Sequence, residues 1–351
     1  MIQIGSHHFG ENVNKFEEEI SKYVGIKTAA ALSAGTAAIH MAVKALDVKQ
    51  GDIVFCPSLT FSATANPIIY QGATPVFIDS EKDTWNMDPE CLEKAFEKYN
   101  KVKAVIVVHL YGIPAKIDKI KEICDRHNTP LIEDAAESLG STFNNKQTGT
   151  YGNYGIYSFN GNKIITTSGG GMIVSNNEEK ISKVRFWATQ SREKAIYYEH
   201  KEIGYNYRMS NIVAGIGRGQ LKVLDKRIEQ KTKIYNTYKQ SFEGIKDIEI
   251  QPIPKNTKPN HWLSVITLKE TSNVKPIEII EALEKENIES RPVWKPMHMQ
   301  PIFKKYDFIK TEKKAVSDDL FNRGVCLPSD TKMTNEEQQR VINTIKNLFI
   351  Q

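Results

Sequence analysis

The sequence contains no uninterrupted apolar run of about 18 residues, the length a helix needs to cross a bilayer. Its opening, residues 1–19, lacks the basic-then-apolar order of a secretory signal, so a cytoplasmic protein with no membrane partner is expected. Gly5-Ser6-His7-His8 has the look of a cloning remnant. Cysteine is scarce. Cys56, Cys91, Cys124 and Cys326 lie far apart without a Cys-x-x-Cys pair, which argues against a zinc site and a disulfide framework and favours reduced thiols. Charge of one sign never runs long either. With 47 basic and 42 acidic residues the net charge is +5, spread too evenly to mark a nucleic-acid surface. No internal repeat and no low-complexity tract is present.

What the chain does have is length and alternation. Its 351 residues, 40% of them hydrophobic, suffice for one large domain and a smaller one. Short apolar runs at 27–32, 53–56, 74–78, 102–108 and 131–133 read as strands. Between them, 36–46, 61–70, 117–127 and a stretch starting near Asp88 carry apolar residues at helical spacing, as does 16–24 ahead of the first strand. Strands alternating with helices predict an α/β fold with a mainly parallel sheet covered on both faces. Helical character returns at 178–188 and over 210–238, the latter long enough for a spine between domains. Turn-rich segments follow at 251–255 and 258–260. Domains of 1–245 and 246–351 are therefore expected, the second a small α+β unit with strands near 262–268 and 324–327 and helices near 276–286 and 335–349.

The most informative stretch is 157–171, YSFNGNKIITTSGGG, which runs from a short strand through one lysine, Lys163, to three glycines. Small and hydroxyl residues around an amine, with glycines that admit a ligand close to backbone, suit a lysine that reaches a bound carbonyl compound. Asp134 ends the apolar run Leu131-Ile132 and should lie at the carboxyl end of a strand, where open α/β sheets place ligands. Pyridoxal phosphate needs a lysine for its aldehyde and an acid that keeps its ring nitrogen protonated. Asp134 and Lys163 can fill both roles. Ser33-Ala34-Gly35-Thr36-Ala37-Ala38 adds a turn entering a helix, whose free amides attract a phosphate.

These motifs occur together with Pro57-Ser58-Leu59-Thr60-Phe61, Glu133-Asp134-Ala135-Ala136-Glu137-Ser138, Ser158-Phe159-Asn160-Gly161-Asn162-Lys163 and Gly204-Tyr205-Asn206-Tyr207-Arg208-Met209. In that order, over nearly the whole chain, the series resembles the DegT/DnrJ/EryC1/StrS aminotransferases, pyridoxal-phosphate enzymes acting on nucleotide-linked keto sugars. Arg291-Pro292-Val293-Trp294-Lys295-Pro296-Met297-His298 and the 159–171 variant are most like the branch of UDP-4-keto-6-deoxy-N-acetylglucosamine 4-aminotransferases and perosamine synthases. The resemblance implies fold type I and a cytoplasmic homodimer with shared active sites. It also implies a pyridoxamine phosphate intermediate, glutamate as amino donor, and a nucleotide-linked keto sugar as acceptor, aminated at C4.

By the same resemblance Lys163 carries the cofactor and moves the proton, and Asp134 partners the ring nitrogen. Relatives that dehydrate sugars have histidine at the lysine position. Gly35, Thr36 and Ser158 would hold the phosphate, Phe61 would lie against the ring, and Asn160 would sit near either. Glu137 stands where much of the family has glutamine; it contacts the cofactor hydroxyl or caps the following turn. Asn206 would reach the neighbouring subunit's phosphate, and Arg208 either binds substrate or buttresses its loop. Candidates for the sugar nucleotide are Arg192, Tyr198, His200, Trp294, Lys295 and His298, whereas His109 reads as structural. Three rivals stand beside this reading. A 3-keto sugar aminotransferase would share every motif; a cysteine desulfurase would need Cys326 on a mobile loop; a non-catalytic cofactor-binding regulator would bind without turnover.

Overall fold

The structure, a computed structural model, describes residues 10–349, so Gly5-Ser6-His7-His8 lies outside the described residues. Helix α1 (Glu11–Val24), strand β1 (Thr28–Leu32) and helix α2 (Gly35–Ala45) open the chain. The alternation then runs through β2 (Ile53–Pro57), α3 (Ser62–Tyr70), β3 (Thr74–Ile78), α4 (Pro89–Lys98), β4 (Ala104–Val108), α5 (Ile117–Arg126) and β5 (Leu131–Asp134). A short hairpin, β6 (Thr142–Phe143) with β7 (Lys146–Gln147), precedes β8 (Tyr154–Ser158), β9 (Gly171–Ser175) and α6 (Glu178–Ala188).

The helix expected over 210–238 is two helices, α7 (Asn211–Leu221) and α8 (Leu224–Phe242). Val223 leaves helical geometry at φ −111°, ψ 6°, and its amide bonds to the Gln220 carbonyl three residues back. After them come β10 (Ile248–Ile250), β11 (Thr257–Lys258), β12 (Ser264–Leu268), α9 (Pro276–Lys285), β13 (Arg291–Pro292), β14 (Phe308–Ile309), α10 (Val316–Arg323), β15 (Gly324–Leu327) and α11 (Asn335–Asn347).

Eight strands form one sheet in the order β1-β9-β8-β5-β4-β2-β3-β14. Only β9 runs against its neighbours; the other pairings, from β8 through β14, are parallel. Alternate side chains of each strand enter different cores, as the pleat requires. Ile106 and Ile132 pack on the side of α2 and α6, whereas Val105, Val107 and Leu131 pack on the side of α4 and α5. That alternation aims Asp134, two residues after Ile132, to the α2 side, and Glu133 to the other.

A second, antiparallel sheet of order β10-β12-β15-β13 is packed by α8, α9 and α11. Residues after 245 also reach back across the expected division. β14 pairs with β3, and β11 pairs with β6 to extend the small hairpin. A two-residue edge strand such as Phe308-Ile309 has no periodic signature, which is why the sequence pattern does not announce it.

One close approach in the large sheet sets the position of the turn from β1 into α2. A Cβ on Gly171, the first residue of β9, would stand 2.3 Å from the Ala34 carbonyl carbon and 2.5 Å from the Gly35 nitrogen. The glycine thus lets β9 press against the turn that opens α2. Gly171→Ala is expected to push that turn outward and destabilise the protein by about 1–3 kcal/mol, the cost of overpacking a filled interior, read as a lower urea midpoint with unchanged slope.

Candidate active site

The carboxyl ends of β4, β5 and β8, the start of α2 and two tryptophans from the C-terminal segment enclose a cavity of about 350 Å³. Gly35, Thr36, Phe61, Asp134, Glu137, Ser158, Asn160, Lys163 and Trp294 all line it. Nine residues singled out in the sequence, from five separate stretches of chain, therefore share one enclosure.

Asp134 is buried at the end of β5, where its Oδ2 accepts from Thr64 Oγ1 at 2.7 Å and its Oδ1 from the Ala136 amide at 3.2 Å. Thr64 lies on the first turn of α3 and is held in turn by Thr60 at 2.7 Å. Burial raises the Asp134 pKa above the ordinary carboxyl value, opposed by these hydrogen bonds and by the charge of Lys163. Lys163 follows the end of β8 through a turn in which its amide bonds to the Asn160 carbonyl. Its Nζ lies 3.5 Å from Glu137 Oε1 and 3.9 Å from the centre of the Trp262 ring. Glu137 Oε2 accepts from the Tyr111 amide at 2.7 Å, and Tyr111 holds a left-handed backbone at φ 57°. Burial pushes the Glu137 carboxyl up to about 7, outweighing the pull of Lys163.

At the opposite wall α2 begins without a side-chain cap on Ala34, so its first amides face the cavity unspent. A Cβ on Gly35 would come within 3.1 Å of Ser158 Cβ, which brings the Ser158 hydroxyl to the same spot. Uncapped amides with hydroxyls from Thr36 and Ser158 make an anion cradle free of any competing base. A buried carboxylate, a reachable amine and this cradle fit the three parts of pyridoxal phosphate. Phe61, at the start of α3, stands at the mouth, its ring 5.6 Å from that of Trp294.

The other sequence candidates fall elsewhere. His298 is not in the cavity: its Nδ1 meets Ser58 Oγ at 2.7 Å, its Nε2 meets Asp318 at 3.1 Å, and its ring stacks on Phe308. The resulting Ser-His-Asp chain pins α10 to the large sheet, and its serine is fully buried, so it serves packing. Lys295 is exposed beside the cavity. Arg208 turns inward, bonding to Glu17 and to the Ala31 carbonyl, and acts as the buttress of its loop. Asn206 is exposed, bridged to Thr189. Arg192, Tyr198 and His200 lie on an exposed excursion, with Arg192 over the Tyr198 ring at 4.2 Å and His200 on the Gln190 carbonyl. His109 is spent on Glu133 at 3.0 Å, and Cys326 is buried in β15, with no mobile loop to carry it to the cavity.

Three site residues escaped sequence reading: Thr64, Tyr111 and Trp262. Thr60 and Thr64, one helical turn apart beside Phe61, carried a usable signal; Tyr111 and Trp262 reach the site only through tertiary contacts.

Comparison with known proteins places these features in a family. Residues 2–346 match the model of the DegT/DnrJ/EryC1/StrS aminotransferase family. EpsN of Bacillus subtilis, provisionally named a pyridoxal phosphate-dependent aminotransferase, is 52% identical over 97% of this chain and 88% of its own length. GDP-perosamine synthase of Escherichia coli O157:H7 is 36% identical over 97% of this chain and 91% of its own. The crystal structure of a DegT DnrJ EryC1 StrS aminotransferase from Brucella abortus superposes with a TM-score of 0.89 at 27% identity, covering 98% of this chain and 92% of that one. The fold is accordingly that of fold type I aminotransferases.

The Glu137 shift has a consequence measurable without any ligand. Folding raises this carboxyl from the ordinary 4.5 to about 7. The folded state therefore binds the proton more tightly, and stability present below pH 4.5 is lost as pH rises through 7. In the ligand-free protein Glu137→Gln should flatten the fall in urea midpoint between pH 4.5 and 7 relative to wild type; an unchanged slope would place the titration elsewhere.

Proposed function

The chain belongs to the DegT/DnrJ/EryC1/StrS aminotransferase family, and from that premise we propose that it transfers an amino group from glutamate to C4 of UDP-4-keto-6-deoxy-N-acetylglucosamine. Its class is that of pyridoxal-phosphate transaminases acting on nucleotide sugars. The observation that carries the reading is the convergence of Asp134, Lys163 and the uncapped start of α2 on one cavity. When bound, the cofactor supplies the electron sink for the carbon that loses its proton.

The chain's own residues divide the remaining work. Asp134, oriented by Thr64 and the Ala136 amide, holds a proton on the ring nitrogen. Gly35, Thr36 and Ser158 take the phosphate, Phe61 covers the ring and Asn160 borders it. Lys163 Nζ would hold the cofactor's aldehyde carbon, and as a free amine it is placed to move the proton at the reacting carbon. Glu137, 3.5 Å from that nitrogen, keeps a proton available at the cofactor hydroxyl and the amine.

A single chain leaves the site short of positive charge. Among the described residues lining the cavity, Lys163 is the sole cation, yet a phosphate, a donor carboxylate and a nucleotide diphosphate must all be held. A second copy supplies what is missing: Asn206 for the phosphate, and Arg192, Tyr198 and His200 for the sugar nucleotide, with Trp294 and Lys295 on the near side. Helix α7, directly after the Asn206 segment, exposes Ile212 and Ile216 together with Gly219, a face suited to close packing against such a copy. The working unit is therefore a homodimer. The 36% identity to a GDP-perosamine synthase supports a second reading, in which the acceptor is a GDP-linked 4-keto-6-deoxy hexose.

Conversion of the protein to its pyridoxamine form, followed by addition of nucleotide keto sugars, tests both. UDP-4-keto-6-deoxy-N-acetylglucosamine should restore the visible spectrum of the aldehyde form. Restoration by the GDP sugar alone would select the second reading, and restoration by neither would remove both. Lys163→Ala should slow the conversion about 100- to 10,000-fold, the usual contribution of a positioned base.

A further inference from the structure

Trp262 stands over Lys163, and its contacts form a device that the transamination roles do not use. Its ring centre is 3.9 Å from Lys163 Nζ, and its Nε1 donates to the Asn162 carbonyl at 2.8 Å. Both the amine and the backbone beside it thus lean on one indole. The segment Asn260-His261-Trp262 is gripped from two sides. Toward the large sheet, the buried Asn260 donates through Nδ2 to the carbonyls of Glu137 and Leu139 at 2.9 and 3.0 Å. Its Oδ1 accepts from the Trp262 amide at 3.0 Å, across a His261 held in the left-handed region at φ 50°.

The other side is helix α8. Tyr235 stacks on His261 with ring centres 4.3 Å apart, and one turn earlier Lys231 donates through Nζ to the Trp262 carbonyl at 2.9 Å and to the Ser329 carbonyl beyond β15. Lys231 is buried, and among the described residues no carboxylate pairs with it. Burial pulls its ammonium down to about 8, with Asp330 alone favouring the charge. A methionine or leucine would fill such a place without desolvating a charge, so an amine kept there with only two carbonyls as partners is placed for what it ties together.

We propose that Lys231 is a positioning residue for the reaction: by tying the Trp262 carbonyl to the Ser329 carbonyl it fixes the indole over Lys163 and keeps that amine aimed into the cavity. This rests on the reading that Lys163 carries the cofactor. Without the tie, the left-handed His261 is free to relax, the indole moves off, and the amine loses the surface that restricts it.

A double-mutant cycle on cofactor-free protein tests the proposal, with the rate of visible-absorbance growth on adding pyridoxal phosphate as readout. Lys231→Met and Trp262→Leu should each slow uptake about 10- to 100-fold, the scale of a misplaced reacting group. The double variant should be no slower than Trp262→Leu alone, and Lys231→Arg, which keeps donors for both carbonyls, should recover most of the rate. Should Lys231→Met fail to melt cooperatively, Lys231→Gln takes its place in the cycle. Losses that multiply in the double variant, or wild-type uptake by the Lys231 variant, overturn the role of Lys231 while leaving that of Lys163 standing. Wild-type protein that takes up no pyridoxal phosphate overturns both.

Discussion

Two buried carboxylates beside one amine set the terms for the rest of this structure. Asp134 and Glu137 lie three residues apart at the end of a central strand, out of water, with Lys163 as the one cation among the described residues lining their cavity. Buried acids are tolerable only when hydrogen bonded or matched by charge, and each is provided for separately. Asp134 takes a hydroxyl from α3 and an amide from its own turn, whereas Glu137 takes the amide of a strained Tyr111. The two surroundings differ, and burial raises the Glu137 carboxyl to about 7 beside the amine.

The fold supplies the opposite pole. Parallel strands end together at one edge of the sheet, and the turn from β1 into α2 arrives there with its amides uncapped. The antiparallel β9 lets this happen, because Gly171 allows the strand to lie against Ala34 and Gly35. Anion cradle and acid pair thus line one cavity of about 350 Å³. Lys163 is the one cation among the described residues lining this cavity, while Asn206 and the excursion bearing Arg192 stand exposed elsewhere on the surface.

What was legible in the sequence was local. Strand-turn-helix units write their own signals, so Gly35, Thr36, Asp134 and Lys163 could be picked out as candidates from the apolar runs and turns beside them, whereas Ser158 came only from the family resemblance. The parallel sheet followed from alternation for the same reason. What stayed hidden depends on distant contacts: Trp262 meets Lys163 from about 100 residues away, Tyr111 is turned toward Glu137 by a left-handed backbone, and β14 is too short to show a period. His298 and Arg208 show the reverse effect. Residue types suited to ligands sit in suggestive motifs, yet tertiary packing commits one to Ser58 and Asp318 and the other to Glu17.

The central claim concerns the nitrogen of Lys163, and chemical trapping addresses it most directly. Protein incubated with pyridoxal phosphate, reduced with borohydride and digested should yield one modified peptide, carrying the pyridoxyl group on Lys163, while an Asp134→Ala variant binds the cofactor more weakly at the same lysine. Modification spread over surface lysines, or confined to any lysine other than Lys163, would contradict the account.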